Sequence, residues 1–196
     1  MIHALPFLDK LPDELKVAII GRGNCARGAF KILSRLGAQV RFYDRVTVKH
    51  LREEIGEYDV VVNAVMWDVF RTDHLIYRED LKKMNRGSMI IDISCDEAMG
   101  IETSHPTTIE NPIYVLDGVI HYAVDHTPAI FAKSATEALS TALYPFIDCL
   151  VEERPNPVLE RAVSIRNGVI LDPRIIRFQN REPQKESCLL SLVSMA

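Results

Sequence analysis

With 196 residues, 47% of them hydrophobic and 26% charged, the chain has the material for one sizeable core and the make-up of an ordinary globular protein. That balance excludes a disordered chain, and no apolar run approaches the length of a membrane span. A net charge of -4 with a pI near 5.9 argues against a general nucleic-acid binder, which needs a basic face or stripe.

Residues 1–15 (MIHALPFLDKLPDEL) lack a basic start followed by a long apolar run, so they read as a lead-in segment and not as a signal peptide. Lys16 to Ile20 is a near-continuous apolar strand. It runs into Gly21-Arg22-Gly23-Asn24-Cys25-Ala26-Arg27-Gly28, a helical pattern follows to Leu36, and a second strand, from Gln39, ends in Asp44. Strand, glycine turn, helix, strand and terminal acid in this order form a dinucleotide-binding fingerprint. Gly21 allows the tight turn, Gly23 lets the backbone approach a pyrophosphate, and Ala26 keeps the helix near the strand. The phosphates would rest on the free N–H groups and positive dipole end of the helix, with Asn24 among the cofactor contacts. Asp44 stands where a carboxylate accepts hydrogen bonds from the adenosine ribose. Arg27 and Arg41 read as solvated charges. Arg22 lies inside the glycine turn and Arg45 directly follows the acid, where an arginine pairs with a 2′-phosphate, so the sequence points to NADP, with NAD as the alternative. A methyltransferase-type nucleotide fold also uses a glycine-rich first turn and is the rival reading.

Gly37 is placed to end the helix, residues 47–55 predict a short amphipathic helix, and residues 58–65 a buried strand. Trp67, in the Met66–Arg71 stretch at the carboxyl end of that strand, suits either the core or a place near the cofactor. Residues 72–84 predict a helix, 88–94 a fourth strand, and 113–117 and 119–124 two more, broken by Asp117-Gly118. Ser134-Ala135-Thr136-Glu137 has the form of a capping box that opens a helix to about Leu150, kinked near Pro145. Asn167-Gly168 signals a hairpin, and the stretch from about Gln179 reads as loosely ordered. Strands alternating with helical segments imply an α/β fold, a doubly wound, mostly parallel sheet of the Rossmann type. The expected division is a lead-in over 1–15, the dinucleotide domain over 16–150 and a C-terminal segment over 151–196. Cys25, Cys95, Cys149 and Cys188 show no paired spacing and the histidines form no ligand motif with them, which points away from disulfides and metal and toward a reducing cytoplasm.

The glycine turn, the Asp92-x-x-x-Asp96 pair, the His105-Pro106-Thr107-Thr108 loop and the run from Asp117 to Tyr122 together resemble the alanine dehydrogenase and pyridine-nucleotide transhydrogenase family. The phrases GRGNCARGA, IIDISCDEAMGIE and HPTTIENP resemble its N(5)-(carboxyethyl)ornithine synthase branch, and the likeness covers roughly residues 1–181. The resemblance implies an NADPH-dependent reductive coupling of the ornithine or lysine side-chain amine to pyruvate. It places Gly21, Gly23, Ala26 and Gly28 at the pyrophosphate, Asp44 at the ribose, and Asp96 at the active site beside the nicotinamide. His126, with Thr127 and Pro128, falls on the segment that closes over the nicotinamide, where alanine dehydrogenases carry an Asn-Met pair. In that family a substrate-binding domain precedes the cofactor domain; here few residues stand before the first strand. The chain therefore resembles the cofactor part of a two-part enzyme, expected to be idle alone, with a substrate-domain chain as partner and a homo-oligomeric assembly. The alternatives are an alanine dehydrogenase-like fragment and a non-catalytic NADP(H)-binding module.

Overall fold

The computed structural model describes residues 1–181, and the chain divides into two compact units, the first Met1–Phe131 and the second starting at Ala132. The end of the C-terminal tail, Cys188 included, lies outside the described residues.

In the first unit the elements follow the predicted order: β1 (Lys16–Ile20), α1 (Asn24–Arg35), β2 (Gln39–Tyr43), α2 (Val48–Glu54), β3 (Val60–Asn63), α3 (Arg78–Leu81), β4 (Met89–Asp92), β5 (Ile113–Leu116) and β6 (Val119–Tyr122). The six strands make one sheet in the order β2-β1-β3-β4-β6-β5, parallel throughout except for the β5–β6 hairpin. This is the doubly wound α/β fold the alternation implies. Alternate residues of each buried strand point to opposite faces. Val17, Ile19, Val60, Val62, Met89 and Ile91 meet Ala26, Ala29 and Leu33 of α1, with Leu15 and Ala4 of the lead-in. Ala18, Ile20, Val61 and Ile90 meet Val48 and Leu51 of α2 together with Trp67, Leu75, Ile76 and Leu81. Two short 3-10 turns, Leu5–Phe7 and Pro12–Glu14, shape the lead-in. Helix α1 stops as expected: Gly37 has φ +91° and the Ala38 N–H reaches back to the Leu33 carbonyl.

The helix expected over 72–84 shrinks to the four residues of α3. The backbone before it is used sideways: the N–H groups of Leu75 and Ile76 donate to the Gly100 carbonyl, and Glu102 N–H donates to the Ile76 carbonyl. A segment bonded laterally cannot also close an intrahelical ladder. The start of α3 is fixed by Asp80, wholly buried, which accepts from Tyr77 N–H at 3.0 Å, Arg52 Nε at 2.6 Å and Lys83 Nζ at 3.2 Å.

The second unit holds α4 (Ala132–Leu143), α5 (Ile147–Val151), α6 (Pro157–Ala162), β7 (Ile165–Arg166), β8 (Val169–Ile170) and α7 (Pro173–Phe178). Ser134 is not the cap expected of it, since α4 already opens at Ala132, directly after a 3-10 turn over Thr127–Phe131. Pro145 interrupts the helical run as predicted, with the chain tightening to a 3-10 turn over Tyr144–Phe146. Asn156 caps α6 through the N–H groups of Val158 and Leu159. Asn167 and Gly168, both at positive φ, join β7 to β8 as a two-residue hairpin.

Candidate functional site

Parallel register aligns the carboxyl ends of the strands: Ile20 faces Tyr43 and Asn63, and Asn63 faces Asp92. The loops after β1, β2, β3, β4 and β6 therefore open on one edge, and they or the adjoining α1 carry every residue the sequence nominates. The order of strands reverses between β1 and β3, the place where open α/β sheets form a ligand crevice.

Gly21 sits in that crevice. Its φ is +113°, and a Cβ there would stand 2.9 Å from the Ala64 carbonyl oxygen, so both conformation and space require glycine. A Cβ on Gly23 would instead project into open space, with nothing within 4 Å. This is the opening through which a diphosphate can approach the backbone. No side chain caps α1, whose N-cap is Gly23, so the first N–H groups of a 12-residue helix, from Asn24 on, are left for an anion. Ala26 is fully buried against the strands, which brings the helix close to the sheet, while Gly28 faces open space on the other side.

Around this turn lies a cleft of about 280 Å³ formed by Gly21, Arg22, Gly23, Asp44, Arg45, Ala64 and Val65. Asp44 Oδ1 accepts from Val46 N–H at 3.0 Å, Thr47 N–H at 2.9 Å and the Thr47 hydroxyl at 2.9 Å. Its other oxygen lies 3.4 Å from Arg22. The Thr47 donors first, then Val46 and Arg22, hold this carboxyl below the usual range. Arg45 donates to the Met66 carbonyl at 3.2 Å and stands 5.8 Å from the Trp67 ring centroid. Trp67 itself is buried, with its indole N–H on the Asp73 carbonyl and the Arg71 guanidinium 4.1 Å from its ring centroid. It meets the cleft through Arg45. These residues fit a dinucleotide: a glycine turn at a free helix end for the diphosphate, a carboxylate for a ribose, and two guanidinium groups for further phosphate.

Beyond β3 the chemistry changes. Asp92, buried at the end of β4, accepts from Asn63 Nδ2 at 2.8 Å and from the Ser94 hydroxyl at 2.9 Å, so it caps its own loop. Cys95, in the left-handed region at φ 46°, donates its thiol to Asp125 at 3.7 Å. Burial first, then the charges of Asp125, Asp92 and Asp96, push this thiol up to about 11. Asp96 is exposed at the loop surface, and its carboxyl is raised by desolvation and by Asp92 and Asp125. His126, also at positive φ and 84% exposed, pairs through Nδ1 with Asp125 at 2.8 Å. The loops after β4 and β6 thus bring Asp92, Cys95, Asp96, Asp125 and His126 into one neighbourhood. Among the described residues no group of three His, Cys, Asp or Glu side chains is placed to hold a metal ion.

A mostly apolar cavity of about 370 Å³ adjoins this acidic end, lined in part by Gly28 and Ile32 of α1, Asp92, Ile93, Thr127 and Pro128. The His105–Thr108 loop is brought to the end of β6 by Thr107, whose N–H donates to the Ala123 carbonyl. His105 stacks on Tyr114 at the outer edge, ring centroids 3.8 Å apart. Asn63, Thr47 and Asp125 were not nominated from sequence. An asparagine ending an otherwise apolar strand, at 63, was the one visible signal; the other two look like ordinary loop residues.

The family described as alanine dehydrogenase/PNT, C-terminal domain, matches residues 45–177. N(5)-(carboxyethyl)ornithine synthase of Clostridium botulinum is 34% identical over 142 residues, 72% of this chain and 44% of that protein. Alanine dehydrogenase of Halomonas elongata is 32% identical over 158 residues, 70% of this chain and 43% of that one. The chain thus spans less than half the length of these relatives. A solved transhydrogenase from Sinorhizobium meliloti superimposes with a TM-score of 0.73 at 18% identity, covering 87% of this chain and 59% of its own. An L-alanine dehydrogenase structure gives 0.70 at 23% identity, covering 84% and 53%. At such identities the structural likeness is one of fold.

Proposed function

Because this chain belongs to the alanine dehydrogenase/PNT family, as its C-terminal domain, we propose that it binds a nicotinamide dinucleotide, NADP(H) in preference to NAD(H). In this reading it is the cofactor part of an oxidoreductase that reductively couples the side-chain amine of ornithine or lysine to pyruvate. The observation that carries the cofactor reading is Gly21 pinned under Ala64 beside an uncapped helix end, with Asp44 and two arginines around it. The preference for NADP(H) is supported by the way Asp44 turns one oxygen into the Thr47 turn and the other to Arg22, which removes most of its repulsion toward a 2′-phosphate.

The amine substrate is supported by His126-Thr127 standing where the resemblance expects Asn-Met for alanine dehydrogenases. When bound, the dihydronicotinamide supplies a hydride. In this reading Asp96, whose carboxyl is raised by its surroundings, holds a proton or orients the amine, and His126 with Thr127 closes over the ring. A substrate-binding part, on this or a separate polypeptide, completes the site, and the 196-residue chain alone is expected to bind cofactor without turnover.

Calorimetric titration with NADPH and NADH, repeated with Arg45→Ala, tests the cofactor reading. The expected outcome is NADPH binding weakened about tenfold by the substitution, the scale of one lost charge-assisted hydrogen bond, with NADH unchanged. Absence of binding by either nucleotide would sink it. Adding a separately produced substrate-binding part should then give NADPH oxidation with pyruvate and ornithine, whereas use of ammonia alone would favour alanine dehydrogenase.

A further inference from the structure

The two arginines of the cleft are held differently. Arg45 is braced, with one guanidinium N–H on the Met66 carbonyl at 3.2 Å and the Trp67 ring beside it, which leaves its other N–H groups for a phosphate. Arg22 is 70% exposed along its side chain and, among the described residues, is tied to Asp44 Oδ2 at 3.4 Å, longer than a good charge-assisted bond. Asp44 Oδ1 is already saturated by the two N–H groups and the hydroxyl of the Val46-Thr47 turn. A ribose can therefore be offered only Oδ2, and Arg22 lies on it.

Building on the cofactor reading above, we infer that the Arg22–Asp44 pair is a latch that determines which dinucleotide the cleft takes, with Arg22 as the moving part. A 2′-phosphate brings negative charge and several acceptor oxygens, so it outcompetes one loosely held carboxylate oxygen and draws the guanidinium onto itself. A bare 2′-hydroxyl must take Oδ2 away from Arg22 and gives no anion in exchange. The same pair thus favours the phosphorylated ribose and penalises the plain one. Asp44, whose position alone suggests a ribose acceptor, acts here mainly as the cap of the turn into α2 and as the resting partner of Arg22.

The test is a double-substitution cycle on the full chain, with wild type, Arg22→Ala, Asp44→Asn and the combination titrated calorimetrically with adenosine 2′,5′-bisphosphate and 5′-AMP, then with NADPH and NADH. Asparagine retains an acceptor oxygen for the Thr47 turn, and an unchanged melting temperature verifies that the turn into α2 stays formed. Arg22→Ala should weaken the bisphosphate about tenfold or more and leave 5′-AMP unchanged or tighter. Asp44→Asn should tighten the bisphosphate more when Arg22 is present, where it also releases the guanidinium, than when Arg22 is absent, where only the carboxylate's repulsion is lost. Equal gains in both backgrounds would overturn the latch, because they would show simple removal of a negative charge. Equal losses of both adenosine ligands on removing Arg22 would also overturn it. If NADPH binds and the cycle is additive, the latch alone fails; if no nucleotide binds at all, the cofactor reading fails with it.

Discussion

The two halves of the carboxyl-edge cleft are built from opposite electrostatic materials. Under β1 to β3 the wall is glycine, backbone N–H and arginine, and its one carboxylate is spoken for by four donors. Under β4 and β6 the wall is Asp92, Asp96 and Asp125 around a thiol, with the His126 ring against Asp125. A dinucleotide has the same asymmetry, since its phosphates carry the negative charge and its oxidised nicotinamide a positive one. An edge so divided matches such a ligand in direction as well as in shape.

The largest expected effect comes from breaking the glycine half. Gly21→Val puts a branched side chain at positive φ against the Ala64 carbonyl, which should cost about 3 kcal/mol or more from strain and overlap. Denaturant unfolding should show the loss, and cofactor binding should vanish with it. A smaller effect, felt in both halves, is expected from Asn63→Ala. That change strips Asp92 Oδ1 and the Val65 N–H of a buried partner and should lower stability by about 2 kcal/mol. The smallest effect sharpens the acidic half alone. Asp125→Asn removes the nearest charge acting on Cys95, so its thiol should fall from about 11 toward the ordinary cysteine value. Alkylation mapped by mass spectrometry at mildly alkaline pH should then speed up at Cys95 by about 3- to 10-fold, since the thiolate is the reactive form, and stay constant at Cys25.

Much of this was legible in the chain. Buried parallel strands are short apolar runs and their order follows from alternation with helices, so β1 through β6 could be placed from pattern alone. The glycine turn was legible because strand, turn and helix each leave a local mark. What escaped was decided by tertiary bonding. The stretch from 72 to 84 reads as one helix, yet Gly100 takes the N–H groups of Leu75 and Ile76 sideways. Ser134 has the neighbours of an N-cap, but α4 begins two residues before it. Asp125 and Thr47 act through partners brought by the fold or by a tight turn, and nothing in their local sequence marks them.

The Asn63 side chain, which joins the end of β3 to Asp92 and Ser94 after β4, works as a fixed ruler between the two halves. Its amide spans adjacent strands with no solvent to soften it, so the distance from diphosphate turn to acidic loop is set by the sheet's own spacing. The floor of the cleft is therefore tied across β3 and β4 at the point where the glycine half meets the acidic half, and the spacing of the two is inherited from one asparagine.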